Sequence, residues 1–332
     1  MILSAVKLRF LTPIHLSRGK MDTYESSDML LRSDTLHAAL YVTTLDLLGP
    51  DYADKILKKI VVSSAFPFSE KGYWLPRPLC FQPDDVKHRK ELKRKRYLTL
   101  DQFQRLMLGE RIEISELIGT PAPQVWESDT TQRVLIDRIH HRGTPFFLEK
   151  LYPKSVQEGD IRISRHTDQG VYVWVAAEEE MPWLDGVFKL LGENGIGLQR
   201  NLGNGHFIHE WDSDFPKLQM PPSEQIRYWV NLSLFRPPWE EINSPRIRLD
   251  KSWYSLVKRG GWIASPEDCQ FATLRKKSVM MFEEGSAFRF TDLQGGDISV
   301  RGELMDLRPD WNDARLHPVW RSGRAIFVPL AS

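Results

Sequence analysis

Four histidines, His15, His37, His140 and His141, have side chains whose ordinary pKa suits proton transfer near neutrality, and Asp28 and Asp34 bracket Ser33. Groups of this kind carry hydrolytic acid–base chemistry. They are poorly accompanied. No G-x-S-x-G elbow and no H-E-x-x-H helix is present. His37 falls in the middle of a predicted helix, where a packed or surface histidine is the usual case, and Asp34 reads as a helix cap. Cys80 and Cys269 lack Cys or His neighbours at zinc-finger spacing, so neither a disulfide framework nor a structural zinc is expected. The expectation is a chain with no catalytic residue, no metal and no cofactor.

Phosphate-directed chemistry is better represented. Residues 192–205 hold five glycines in fourteen positions, with Arg200 among them. A P-loop would need a Lys and a following helix, and a dinucleotide fingerprint needs strand before and helix after; here the predicted order is helix, loop, strand. The glycines either form a turn packed against the sheet or let the backbone approach a phosphodiester closely. A second feature is the run KHRKELKRKR at 87–96, with seven Lys/Arg and one Glu. Its +6, set against a total of +1 from 45 basic and 44 acidic residues, leaves −5 for the rest of the chain. Either the run is a solvated loop, or it grips phosphates while its neighbours Tyr73, Trp74, Phe81 and Tyr97 meet bases.

The elements that must hold these groups are legible in part. A length of 332 residues predicts roughly two domains, and 41% hydrophobic residues is enough for a core in each. Residues 2–10 alternate, with Ile2, Val6, Leu8 and Phe10 on one face and Lys7 and Arg9 on the other, as in a half-buried strand. Ser33-Asp34-Thr35 then opens a helix that Gly49-Pro50 ends. Residues 66–123 read as an insertion containing an extended aromatic and proline-rich stretch, the basic run and a short helix capped at Thr99. Residues 170–177 (GVYVWVAA) predict a strand and 183–191 an amphipathic helix. Residues 213–224, with three prolines, predict a linker between a domain at 1–212 and a strand-rich one at 225–332. The opening residues lack a signal-peptide layout and no apolar run approaches a membrane span, so a cytoplasmic location is expected.

In order along the chain, Thr12-Pro13-Ile14-His15-Leu16, Ser33 to Leu40, Phe66-Pro67-Phe68, Leu75-Pro76-Arg77-Pro78, Ile136-Asp137-Arg138 and Leu191 to Phe207 resemble one family. So do Leu232 to Pro237, Arg259-Gly260-Gly261-Trp262, Arg275 to Val279 and Glu284-Gly285-Ser286. The chain is similar to the RAMP superfamily of CRISPR RNA-binding proteins, and within it to the type III-A (Csm) effector subunit that holds the 5′ handle of the guide RNA. The resemblance spans nearly the whole chain. It implies an α+β fold of two tandem ferredoxin-like (RRM-like) domains, with an inserted thumb-like hairpin placed at 66–123 and a glycine-rich loop. It implies as partners the crRNA handle, the large polymerase-palm subunit and the backbone RAMP subunit, with target RNA met indirectly. Where relatives usually carry Phe, this chain has His37. That keeps open an alternative, a RAMP endoribonuclease trimming precursor crRNA with His15 or His37 as acid or base. The RNA-binding set expected on this resemblance is His15, Ser17, Arg18, Lys93, Arg94, Lys95, Arg96, Arg133, Arg138, His140, Arg142, Gly195, Gly197, Arg200, Gly203, Gly205, Arg275, Lys276 and Lys277.

Overall fold

Alternation and glycine placement set the centre of the molecule. The computed structural model describes residues 1–17, 25–81, 91, 94–154, 156–158, 161–163, 169–263, 271, 274–293, 295–311, 313 and 315–331. Strand β1 (Ile2–Phe10) leads into α1 (Ser33–Leu48) and α2 (Pro50–Lys59), then β2 (Ile60–Val62), β3 (Phe66–Ser69) and β4 (Gly72–Pro76). After β5 (Tyr97–Thr99) come α3 (Leu100–Met107) and α4 (Ile114–Gly119), and then a long hairpin, β6 (Trp126–Asp137) and β7 (Arg142–Pro153). Short strands β8 (Val156–Glu158) and β9 (Ile161–Ile163) precede β10 (Gly170–Ala177), α5 (Leu184–Asn194) and β11 (Phe207–Asp212).

One seven-stranded sheet runs β11-β1-β10-β3-β4-β5, with β2 pairing β10 beyond β3. Every residue of β10 is buried, because both faces are covered. Val171, Val173 and Val175 enter a core with Val6, Leu8, Leu36, Leu40 and Phe188, under α1 and α5. Tyr172, Trp174 and Ala176 enter the opposite core. Gly170 opens the strand because a Cβ there would stand 2.6 Å from the Leu8 carbonyl oxygen. The short helix α3 begins as its sequence predicts: the Thr99 hydroxyl accepts from the Gln102 N–H, and Gln102 Oε1 accepts from the Thr99 N–H.

The remainder is mostly β: β12 (Ile226–Asn231), a one-turn helix α6 (Trp239–Ile242), β13 (Leu256–Arg259), β14 (Val279–Phe282), β15 (Ala287–Phe288), β16 (Ser299–Arg301), β17 (Leu304–Asp306), β18 (Trp320–Ser322) and β19 (Ala325–Ala331). A second antiparallel sheet runs β15-β12-β19-β16.

Three expectations change. The two halves keep cores of their own but also share one: Val230, Leu232, Ile326 and Val328 of the second half lie in one cluster with Tyr172 and Trp174 of the first sheet. The proline-rich segment 213–224 is a packed strap. Phe215 lies edge-on to Tyr73 at 4.8 Å and to Trp174 at 5.7 Å between ring centroids, and the Gln219 N–H donates to Gln104 Oε1 at 2.7 Å. Segment 66–99 contributes β3, β4 and β5 to the main sheet, whereas the long projecting hairpin lies after it, at β6 and β7.

Asp34 is also not the cap of α1. The N-cap position is Arg32, with no side-chain cap bond, and Asp34 is fully buried against Arg259 and Arg321 of the other half. The cations Lys7 and Arg9 are not open either: Lys7 pairs with Asp212 at 3.2 Å and Arg9 with Glu210. Among the described residues no helix is long and apolar enough to cross a membrane.

Candidate nucleic-acid interface

The hairpin β6–β7 pairs over twelve residues on each strand, from Trp126↔Pro153 at its root to Asp137↔Arg142 at its tip. Its root is core: Trp126, Leu148 and Leu151 are buried, and Trp126 meets Phe10 edge-on at 5.1 Å. Its outer half is not. Val134, Leu135, Ile136 and Ile139 are all more than half exposed, up to 83% at Ile139. Around these apolar residues stand Arg133, Arg138, His140 and Arg142, all exposed. Asp137 organises the turn by accepting the Ile139 and His140 N–H groups and bonding the His140 ring at Nδ1, 2.7 Å away. An exposed apolar tip ringed by cations can lie against bases while its guanidinium groups meet phosphates.

The glycine loop sits at the root of this hairpin. Gly195, Gly197, Gly203 and Gly205 all have positive φ, between +75° and +96°. A Cβ on Gly197 would stand 2.7 Å from the His15 carbonyl oxygen, and one on Gly205 would collide with the Ile196 carbonyl. The loop's N–H groups are largely turned inward: Leu198 donates to His15 O, Gly205 to Pro13 O and Ile196 to Gly205 O. The close approach that glycine allows is therefore made within the protein itself, by Gly197 to His15 and by Gly195 and Gly205 to other residues of the loop. Arg200 is exposed at its crest, beside Gln199, which is itself left-handed with φ 59°.

Sequence-predicted residues divide accordingly. His15 is a correction: its ring is buried, with Nδ1 2.6 Å from the Glu149 carbonyl oxygen, so it ties the hairpin root to the loop and offers no face to a base. Ser17 is exposed and bridges to Ser27. Arg18 and Lys93 lie outside the described residues, as do most residues of the basic run. Arg94 and Arg96 are exposed, while Lys95 donates to Thr120 O and Oγ1 at 3.0 and 3.2 Å.

Arg275, Lys276 and Lys277 split by alternation. Arg275 lies 4.9 Å above the Trp262 ring, and Lys277 pairs with Asp310. Lys276 turns inward, a second correction: burial, and then the neighbouring Arg321 and Arg259, bring its ammonium down to about 7. It joins Asp34, whose carboxyl burial alone would raise but which Arg259 and Arg321 hold well below the usual carboxylate range.

His37 is buried against the Ile56 carbonyl, and burial takes its pKa down to about 4, so the ring is neutral at physiological pH. Sequence reasoning missed Lys150 on β7, which reaches Asn204 of the glycine loop at 3.5 Å. It also missed Arg259 and Arg321 as the partners of Asp34. Only the quoted Arg259-Gly260-Gly261-Trp262 motif gave a signal for the first of these. Among the described residues no group of three or more His, Cys, Asp or Glu side chains is placed to hold a metal ion.

Residues 224–330 match the family model of the CRISPR Csm4 C-terminal domain. The CRISPR system Cms protein Csm4 of Thermococcus onnurineus (strain NA1) is 25% identical over 276 residues, covering 78% of this chain and 84% of that protein. The fold is similar over all of both chains to one in a Csm3-Csm4 subcomplex of the type III-A interference complex, with a TM-score of 0.61 and 16% identity. It is also similar to one in a Csm1-Csm4 cassette with cA4, with a TM-score of 0.55, 20% identity and coverage of 99% and 97%. Two antiparallel sheets with a projecting basic hairpin make the fold similar to that of Csm4 chains found in type III-A complexes. The likeness reaches the level of a family model over residues 224–330, the match to the Csm4 C-terminal domain.

Proposed function

We propose that this chain is the non-catalytic subunit that anchors the 5′ repeat-derived handle of the crRNA in a type III-A complex, docking the large polymerase-palm subunit to the backbone subunits for antiviral defence in the cytoplasm. The single observation that carries the reading is the exposed hairpin, whose apolar tip Ile136 and Ile139 is ringed by Arg133, Arg138, His140 and Arg142. Such a tip has no stabilising role in an isolated chain, and its chemistry matches a single-stranded polyanion. Partners are inferred from relatives that occur with Csm3 and with Csm1.

The finer fold is part of the same reading. The order β1-α1-β2/β3, then β10-α5-β11, in a sheet β11-β1-β10-β3, supports a ferredoxin-like first half. The second sheet is read as a copy whose helices are cut to single turns such as α6. An endoribonuclease role for His15 or His37 is disfavoured by their burial. The test is co-expression of the complex, recovery of RNA with this subunit and sequencing of that RNA. Handle-bearing crRNA is expected, with no cleavage of precursor by the pure subunit in EDTA. Cleavage lost in His37→Ala would refute the non-catalytic assignment.

A further inference from the structure

One carboxylate faces three cations where α1 meets the second half. Asp34 Oδ2 accepts from Arg259 Nε at 2.9 Å and lies 3.4 Å from Arg321 Nη1, while Oδ1 accepts from Arg259 Nη2 at 3.0 Å. Both oxygens are thereby taken. Arg321 Nη1 also donates to the Asp34 carbonyl at 3.0 Å, but its buried Nε has no hydrogen-bond partner among the described residues. Arg321 is only 7% exposed, so that N–H is withdrawn from water as well. Lys276, the third cation, pairs with no acid among the described residues; the charged groups that face it are Arg321 of β18, Asp34 of α1 and Arg259 of β13. Buried charge is ordinarily matched, and a buried guanidinium N–H without an acceptor forfeits its hydration. The surplus is visible in the titration: burial, and then the neighbouring cations, take Lys276 down to about 7, and burial lowers Arg321 too.

There is room beside the amine. Gly261 adjoins Lys276 and accepts its N–H at 3.1 Å, and a Cβ on that glycine would lie no closer than 3.7 Å to Lys276 Cε and 4.0 Å to Nζ. Lys276 is itself partly exposed, which gives a small solute a way in. We propose that Arg321, Lys276 and Arg259 form a site for one small free oxyanion of the sulfate or phosphate class, bound beside Asp34 as a second counter-ion at the junction of the two halves. An oxyanion fits because the Arg321 Nε and the Lys276 ammonium are separate, directional donors, and one ion with several oxygens can accept from both. The site requires no RNA and lies apart from the exposed hairpin. Two consequences are built in: the anion stabilises the folded chain by mass action, and its binding draws a proton onto Lys276.

The experiment uses the full chain with sulfate as the probe, since sulfate does not titrate near neutrality, at millimolar concentration and fixed ionic strength. Calorimetric titration is expected to give one site with a Kd at or below about 1 mM at about pH 6. Its affinity is expected to fall about tenfold in all by about pH 9, most steeply just above 7, as the Lys276 amine loses the proton that sulfate favours. Lys276→Met is expected to weaken sulfate about tenfold at the lower pH and to abolish the pH dependence. It takes one cation from a surplus, so the fold is expected to hold. Lys276→Arg, charged throughout this range, is expected to keep the affinity and lose only the pH dependence. Urea midpoints give a second reading: general salting-out acts on both chains alike, so a sulfate-induced rise in the wild type beyond that in Lys276→Met reports the site. A Kd above about 10 mM, or identical sulfate responses in the wild type and Lys276→Met, overturns the proposal. The assembled complex gives the third arm, acetylation of Lys276 read by mass spectrometry, expected to be fast without sulfate and slowed by it. Lys276 already protected without sulfate would mean that a partner chain or a nucleic acid occupies the place, which overturns the assignment to a free anion.

Discussion

Asp34, in the first turn of α1, accepts two hydrogen bonds from Arg259 of the second half, from Nε at 2.9 Å and Nη2 at 3.0 Å. Arg321 joins them, donating to the Asp34 carbonyl at 3.0 Å. A bidentate, desolvated pair of this kind fixes orientation as well as distance. It pins the helix over the first sheet to the ribbon strands β13 and β18 of the second half.

Removing the carboxylate strands buried cations. Asp34→Asn is expected to destabilise the chain by about 3–5 kcal/mol, because breaking a buried pair from one side leaves uncompensated charge. Urea denaturation measures it, and a loss under 1 kcal/mol would contradict the assigned role. The acid dependence follows from the depressed carboxyl: its stabilisation is complete above the ordinary carboxylate range and is lost as pH falls toward the folded value.

His37 supplies a second pH dependence with a defined window. Its folded pKa of about 4 lies below the ordinary 6.5, so between those values the unfolded chain holds a proton that the folded chain does not. Stability therefore falls as pH drops from 6.5 to 4. His37→Phe is expected to flatten the midpoint-against-pH curve in that window and to leave the RNA content of the complex unchanged. A curve identical to wild type would show that His37 does not control it.

The glycine loop separates two kinds of cost. Gly205→Val drives a Cβ into the Ile196 carbonyl and is expected to abolish stable folding or assembly, whereas Gly203 has open space around it and only its φ of +78° to protect. Gly203→Ala is therefore expected to cost about 1–2 kcal/mol, the strain of a left-handed non-glycine residue. Thermal denaturation of the two variants compares them directly; equal effects would mean that backbone contact is not what the loop requires.

On the hairpin, stability and binding should separate. Arg138→Ala and Arg142→Ala alter exposed side chains, so the melting temperature is expected to hold. RNA affinity should drop, and the slope of log affinity against log salt should become shallower by roughly 0.7 per phosphate contact removed from a single strand. Filter binding at several salt concentrations reads both quantities. An unchanged slope would remove these arginines from the RNA path.

What could be read beforehand followed from whether one residue type had one possible use. Strand β10 was legible because Val171, Val173 and Val175 are apolar and so are Tyr172, Trp174 and Ala176 between them, a pattern that only a doubly covered strand needs. Thr99 announced a helix cap, and the cap is there, completed by Gln102 into a capping box. Asp34 misled because a cap and a buried ion-pair acceptor are the same residue at the same place, and its partner lies 225 positions away.

The hairpin was misplaced for a different reason. Trp126–Asp137 (WESDTTQRVLID) has no sustained apolar alternation, since its outer half packs on nothing. The basic run drew attention by density, while the tip cations are spread over ten positions from Arg133 to Arg142. Arg275, Lys276 and Lys277 are adjacent in sequence, yet Lys276 is turned inward beside Arg321, Asp34 and Arg259.

The pairing of β1 with β10 has a bearing on the order of events in folding. Val6 opposes Val173, so the central ladder joins residues 167 positions apart, and β10 must reach β1 across everything between them. The hairpin needs only the four-residue turn 138–141 to close. Local ribbons of this kind form on the microsecond scale, about 1–10 μs, whereas long-range ladders wait on the search of a large loop. The projecting finger is thus the early structure, and the platform that carries it is assembled around its root.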